Sequence, residues 1–208
     1  LEHATALQYK EVKELLTKFP NLIKLWTLCP KLDPRGEVTR LLQDHGVVVS
    51  YGHSNANYQE AYEGFENYKV RLVTHWGNAM YVMKDFQQRN CADEDLSRLE
   101  SEPIDQAGLG LAAYRHPEVY CMAIAGSEAD ADLHLDPRLL KQLFQKKPNK
   151  MILVSDMVAK NTKYKDGKLQ GGLASLRQHR QNAINAGIPD SNVNLACNDN
   201  PSKILRIT

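Results

Sequence analysis

The sequence predicts an α/β fold built around a parallel sheet. Two observations carry this: five short apolar runs recur along the chain, and amphipathic segments separate them. The runs are nearly continuous rather than alternating, which is the pattern of strands buried on both faces. Strand and helix in regular alternation imply βα units. Five units are too few to close an eight-stranded barrel, so the sheet is open or the chain is part of a barrel.

The first run, residues 22–28, is interrupted by Lys24. Residues 34–45 carry Val38, Leu41 and Leu42 on a helical face and stop at Gly46, a helix-ending type. The second run covers 47–51. A helix is expected over 57–67, after Ser54 and Asn55, whose side chains suit an N-cap. The third run covers 70–74. Residues 81–107 form a long, acid-rich stretch with Asp85, Asp93, Glu94, Asp95, Glu100, Glu102 and Asp105. A connection of this length is expected to be an insertion loop that covers the carboxyl end of the sheet or meets a second subunit. The fourth run covers 119–125. Asp136 caps the next helix, Pro137 opens it, and it continues through Phe144. The fifth run is 151–155, and a last long helix over 172–186 stops at Gly187 and Pro189.

Composition narrows the function. Among 208 residues, 26 Lys and Arg balance 25 Asp and Glu. Without a basic excess, no nucleic-acid partner is expected. No apolar stretch approaches the roughly 18 residues of a membrane span, so no membrane partner is expected either. The opening, LEHATALQYK, has neither an initiator Met nor the pattern of a signal peptide. It leads us to expect a chain that begins inside a longer protein. Cys29, Cys91, Cys121 and Cys197 make no CxxC pair, which fits a reducing cytoplasm. Cys29 and Cys121 lie in apolar surroundings and are expected to be small buried hydrophobes.

The polar residues after the strands carry the chemistry. The second run leads into Gly52-His53-Ser54-Asn55-Ala56 and the third into Thr74-His75-Trp76-Gly77-Asn78-Ala79-Met80. Asp130, Asp132 and His134 follow the fourth run, and Asp156 follows the fifth. Ligands of parallel α/β sheets sit at the carboxyl ends of the strands. A single histidine there is more often a hydrogen-bonded turn residue. Two at equivalent strand ends, with an aspartate at a third, point to a metal-assisted hydrolase. Neutral imidazoles bind zinc well, and a separate carboxylate can move the proton of an attacking water.

These motifs resemble N-acetylglucosamine-6-phosphate deacetylases of the amidohydrolase superfamily. The resemblance rests on the Gly-His-Ser-Asn-Ala and Thr-His-x-x-Asn-Ala-Met segments, whose histidines stand 22 residues apart, and on Ser155-Asp156. Thr27-Leu28-Cys29-Pro30 is similar to the family's Thr-Leu-Ala-Pro strand, and Leu133-His134-Leu135-Asp136 to its histidine-bearing loop. Gly167 to Gly171 is similar to its Gly-x-Leu-x-Gly turn, and Pro201-Ser202-Lys203-Ile204-Leu205 to its ending. The resemblance implies a (β/α) TIM-type barrel, here a partial barrel of about five parallel strands spanning residues 1–208.

It also implies roles. His53 and His75 become ligands of a divalent metal, one zinc, and Asp156 the catalytic acid and base. His134 contacts the sugar or the amide, and Asn78 and Ala79 bind substrate, partly through backbone. His3 matches a substrate-facing histidine. The implied substrate is a small amino sugar, N-acetylglucosamine 6-phosphate, cleaved to glucosamine 6-phosphate and acetate by a cytoplasmic homodimer. The family's third metal ligand, a Glu in His-Leu-Glu-Gly-Pro, has no counterpart in this sequence. The family's phosphate-gripping Arg-Glu-Pro reads Ser101-Glu102-Pro103, and its Asp-Gly-Leu-His reads Ala131-Asp132-Leu133-His134. Two alternatives follow: an amidohydrolase for an unphosphorylated N-acyl substrate, or an inactive sugar-binding homologue.

Overall fold

A computed structural model of the chain describes residues 9–83, 98–126, 134–157, 164–165, 168–169 and 174–206. Its five principal strands are β1 (Leu25–Leu28), β2 (Val48–Tyr51), β3 (Leu72–Val73), β4 (Tyr120–Ala123) and β5 (Met151–Leu153). They form one parallel sheet in the order β1-β2-β3-β4-β5. Each strand is shorter than the apolar run that announces it. The first loses its start, because Leu22 is 70 % exposed and the chain turns there.

Most of the helices pack on one side, and the last sends Ile204 to the other. The helices are α1 (Tyr9–Lys18), α2 (Glu37–Asp44), α3 (Tyr58–Asn67), α4 (Arg98–Ser101), α5 (Leu109–Arg115), α6 (Pro137–Lys146), α7 (Leu176–Asn185), α8 (Asp190–Asn194) and α9 (Asn200–Leu205). A π-helical turn, Leu195–Asp199, joins the last two. An antiparallel pair, Tyr164–Lys165 with Lys168–Leu169, stands apart from the sheet. Among the described residues no helix is long and apolar enough to cross a membrane.

Side chains alternate across the sheet as strand geometry requires. Val49, Tyr51, Val73, Cys121, Ala123 and Leu153 face the helices and join the main core. On the opposite face Leu72, Met122 and Ile152 form a second cluster, edged by the half-buried Val48, Tyr120, Val154 and Ile204. The continuous apolar runs predict burial on both faces. Only the helix-covered face is completely closed among the described residues.

Two helix starts differ from expectation. Asn57, not Ser54 or Asn55, caps α3: its side chain accepts from Glu60 N while Glu60 accepts from Asn57 N, a reciprocal capping box. Ser54 instead turns its hydroxyl to Ala56 N at 3.0 Å. At α2 the buried Asp33 accepts from Val38 N, Thr39 N and Thr39 Oγ1. It thereby satisfies donors that Gly36, the N-cap, has no side chain to reach. Asp136 caps α6 as predicted, accepting from Arg138 N.

Residues 84–97 of the long stretch lie outside the described residues. Its two ends are tied together by Gly108 N donating to Val82 O at 2.8 Å and Tyr81 OH to Gln106 O at 2.9 Å. Its second half is anchored: Leu99 is fully buried in α4 and Tyr114 OH donates to Glu100 at 2.7 Å.

Candidate active site at the carboxyl end of the sheet

His53 follows β2 and His75 follows β3, and the two strands are hydrogen-bonded neighbours. Their Nε2 atoms are 2.7 Å apart and their rings are tilted by 42°. One nitrogen donates and the other accepts. His75 is 6 % exposed, whereas His53 lies at the surface. Partial desolvation of its ring holds the His53 pKa below 6.5, the nearby His75 adds to the shift, and Asp156 opposes it. The neutral form, which is the metal-binding form, is therefore favoured.

The loops that carry these side chains are held from below. Thr74 N donates to Tyr51 O at 2.9 Å, and Trp76 N donates to Met122 O at 2.7 Å. The buried Trp76 indole donates to Gly110 O at 2.6 Å. Tyr81 N donates to Ser54 O at 2.9 Å and links the two histidine loops. Four candidate site residues have left-handed backbones: His53 (φ 47°), His75 (φ 30°), Ala79 (φ 46°) and Asp156 (φ 43°). Such conformations are costly for residues with a Cβ, and they concentrate at functional sites.

A second pair forms beside the first. Asn78 Nδ2 lies 3.0 Å from Nδ1 of the buried His134. With the amide donating, His134 carries its proton on Nε2. Asn78 N in turn donates to His75 O at 2.9 Å, so the two pairs are one construction. Asp156 is exposed after β5 at the same end, and its charge reaches His53. Ala79 is exposed. His3, Asp130 and Asp132 lie outside the described residues, as does the Gly167 to Gly171 turn apart from Lys168 and Leu169.

Three contacts were not legible in the sequence. Cys29 is half-buried rather than an inert core residue, and its thiol donates to Ser54 Oγ at 3.1 Å beside His53. Cys121 is buried as expected. His179 and Asn182 of α7 both reach Ala125 O at 2.9 Å. They brace the end of β4, where Ala125 pairs with Leu135 next to His134.

The donor set suits a metal in part. Two facing imidazole nitrogens are the right kind of ligand, and His75 Nδ1 is buried with no hydrogen-bond partner among the described residues. Nitrogens sharing one tetrahedral zinc stand about 3.3 Å apart, so the pair must open slightly. No group of three or more His, Cys, Asp or Glu capable of holding a metal occurs among the described residues. The pair supplies two ligands and needs another.

No family model matches the sequence. Solved structures do match. The fold is that of N-acetylglucosamine-6-phosphate deacetylases. The enzyme from Pasteurella multocida superposes with a TM-score of 0.74 at 21% identity, over 99% of this chain and 53% of its own. The enzyme from Mycobacterium smegmatis gives 0.70 at 20%, over 96% of this chain and 50% of its own. An Asp-to-Ala mutant of the latter, in complex with N-acetyl-D-glucosamine-6-phosphate, gives 0.73 at 19%, over 96% and 53%. The chain thus spans about half the length of the deacetylase structures it matches, and the five-stranded sheet is part of a (β/α) barrel fold.

Proposed function

We propose that the chain carries the greater part of a metal-dependent amidohydrolase site that deacetylates N-acetylglucosamine 6-phosphate. The observation behind this reading is the His53–His75 pair, with Nε2 atoms 2.7 Å apart at the ends of adjacent strands. The fold shared with the deacetylases supports it. His53 and His75 would hold the divalent metal, one zinc, with a further ligand from beyond the described residues. When bound, such a metal polarises a carbonyl oxygen and lowers the pKa of water to near 7.

The chain's own residues do the rest. Asp156, an exposed carboxylate, accepts the proton of the attacking water. It then returns that proton to the amine nitrogen of the leaving sugar, which departs poorly as an anion. His134, oriented by Asn78, contacts the acetamide. Asn78 and Ala79 bind the sugar. His3 faces the substrate in this scheme. The working protein is a cytoplasmic homodimer.

A second reading, an unphosphorylated N-acyl substrate, is favoured by Ser101, which ends α4 where the resembling family has its phosphate-gripping arginine. Acetate release from N-acetylglucosamine and from its 6-phosphate, with zinc occupancy quantified, separates the two. Asp156→Asn should keep metal and lose turnover by about 10²-fold or more. His53→Ala and His75→Ala should lose metal and turnover together. Zinc binding without hydrolysis of either sugar would instead make the chain a non-catalytic relative.

A further inference from the structure

A groove of about 280 Å³ opens at the amino end of the sheet, away from the histidine pair. Val48 and Ile204 form its apolar floor, and Lys69, Arg71, Lys203 and Arg206 surround it. Among the described residues no carboxylate lines it, in a chain whose charges otherwise balance at +1. The cations come from two distant parts of the sequence: the turn between α3 and β3, and the end of α9.

The opposing charges are few. Glu66 lies 3.8 Å from Lys69. The carboxyl ends of α2, α3 and α9 reach the groove, and each contributes about half a negative charge. Lys203 and Arg206 have no carboxylate partner among the described residues. Roughly one and a half positive charges are left over, at the lower end of a phosphoryl group's charge at neutral pH. Arg71 is held in place by its Nη1 donating to Val70 O at 3.1 Å and to Phe65 O, and its other N–H groups stay available. The volume lies at the small end of ligand pockets, which excludes a large cofactor.

We propose that this groove binds the phosphoryl group of a small molecule, either inorganic phosphate or a sugar phosphate. It is separate from the candidate active site and does not depend on the function proposed for it. Phosphate binds here through guanidinium and ammonium donors, and a sugar attached to it lies over Val48 and Ile204.

The test is calorimetric titration with inorganic phosphate and with a hexose 6-phosphate, at fixed ionic strength set with chloride. The wild type should bind. Lys203→Gln/Arg206→Gln, which alters two exposed side chains, should weaken binding by about tenfold or more while keeping its thermal midpoint. His53→Ala should leave binding within about twofold. Tighter binding of the hexose phosphate assigns the groove to the ester, and equal binding assigns it to free phosphate. Absence of binding in the wild type, equal binding in the double variant, or loss in His53→Ala would overturn the proposal.

Discussion

Thr74 Oγ1 lies 2.9 Å from Thr27 Oγ1 and 2.6 Å from Ser50 Oγ, so one hydroxyl links three neighbouring strands immediately before His75. Gly52 leaves room for this contact, since a Cβ there would stand 3.0 Å from Thr27 Cγ2 and from Thr74 Cβ. The hydroxyls fix the height of Thr74 in the sheet and, through it, the left-handed turn at His75. On the proposed function, Thr74 acts as a positioning residue for the metal ligand His75. Thr74→Val keeps the shape and removes the tie; zinc affinity should fall about tenfold, as for other groups that orient metal ligands. Thr74→Ser should restore it. Competition with a chromophoric chelator measures both, and unchanged affinity in Thr74→Val would remove Thr74 from this role. The histidines themselves are legible in the sequence because strand ends are where such sites form. The hydroxyl tie is not, because it depends on the Thr27–Ser50 register. Nor are the left-handed backbones, because none of the four residues is the glycine that announces such a conformation.

At the scale of elements, strands were easier to read than helices. Each strand of the parallel sheet coincides with an apolar run, whereas α1, α5 and the stretch from α8 to α9 gave no clear signal. Every residue of α5 from Leu109 to Tyr114 is buried, so it has no polar face and no 3.6-residue rhythm. α1 buries only Val12 and Leu16, a stripe too thin to stand out. The stretch from α8 to α9 is rich in Asn and Asp, residues more typical of turns. The α3 helix shows how closely its legible face packs: a Cβ on Gly64 would stand 2.3 Å from the Tyr51 ring. That ring is fixed in the core, 5.8 Å from Phe65. Gly64→Ala therefore overpacks the α3–β2 contact, and helix propensity, which favours Ala, offsets only part of the strain. The expected loss is about 1–3 kcal/mol, read as a lower urea midpoint at unchanged m-value. A midpoint at or above that of the wild type would mean that Tyr51 can move aside.

For the molecule as a whole, acid should weaken the fold in two stages. His116 is 3 % exposed. Its Nδ1 accepts from Glu118 N at 3.2 Å, so its proton sits on Nε2, 2.9 Å from Glu66. Burial holds its pKa below 6.5, and Arg71 and Lys147 push the same way, while the hydrogen bond to Glu66 opposes them. The unfolded chain therefore takes up a proton near pH 6.5 that the folded one resists. The stability this provides is complete above 6.5 and is lost as pH falls through it toward the lower folded value. His53, also held below 6.5, adds in the same direction. The second stage belongs to the carboxylates. Glu66, Glu100 and Glu118 are held below 4.5, first by hydrogen bonds from His116, Tyr114 and Lys150 respectively. Their contribution is present above 4.5 and is lost as pH falls below it. The thermal midpoint should thus decline as pH falls through 6.5 and decline further below 4.5. In His116→Gln, whose amide can still donate to Glu66, the first decline should shrink and the second should remain. A midpoint that stays level from pH 7.5 to 5.5 in the wild type would show that burial of these histidines does not resist protonation.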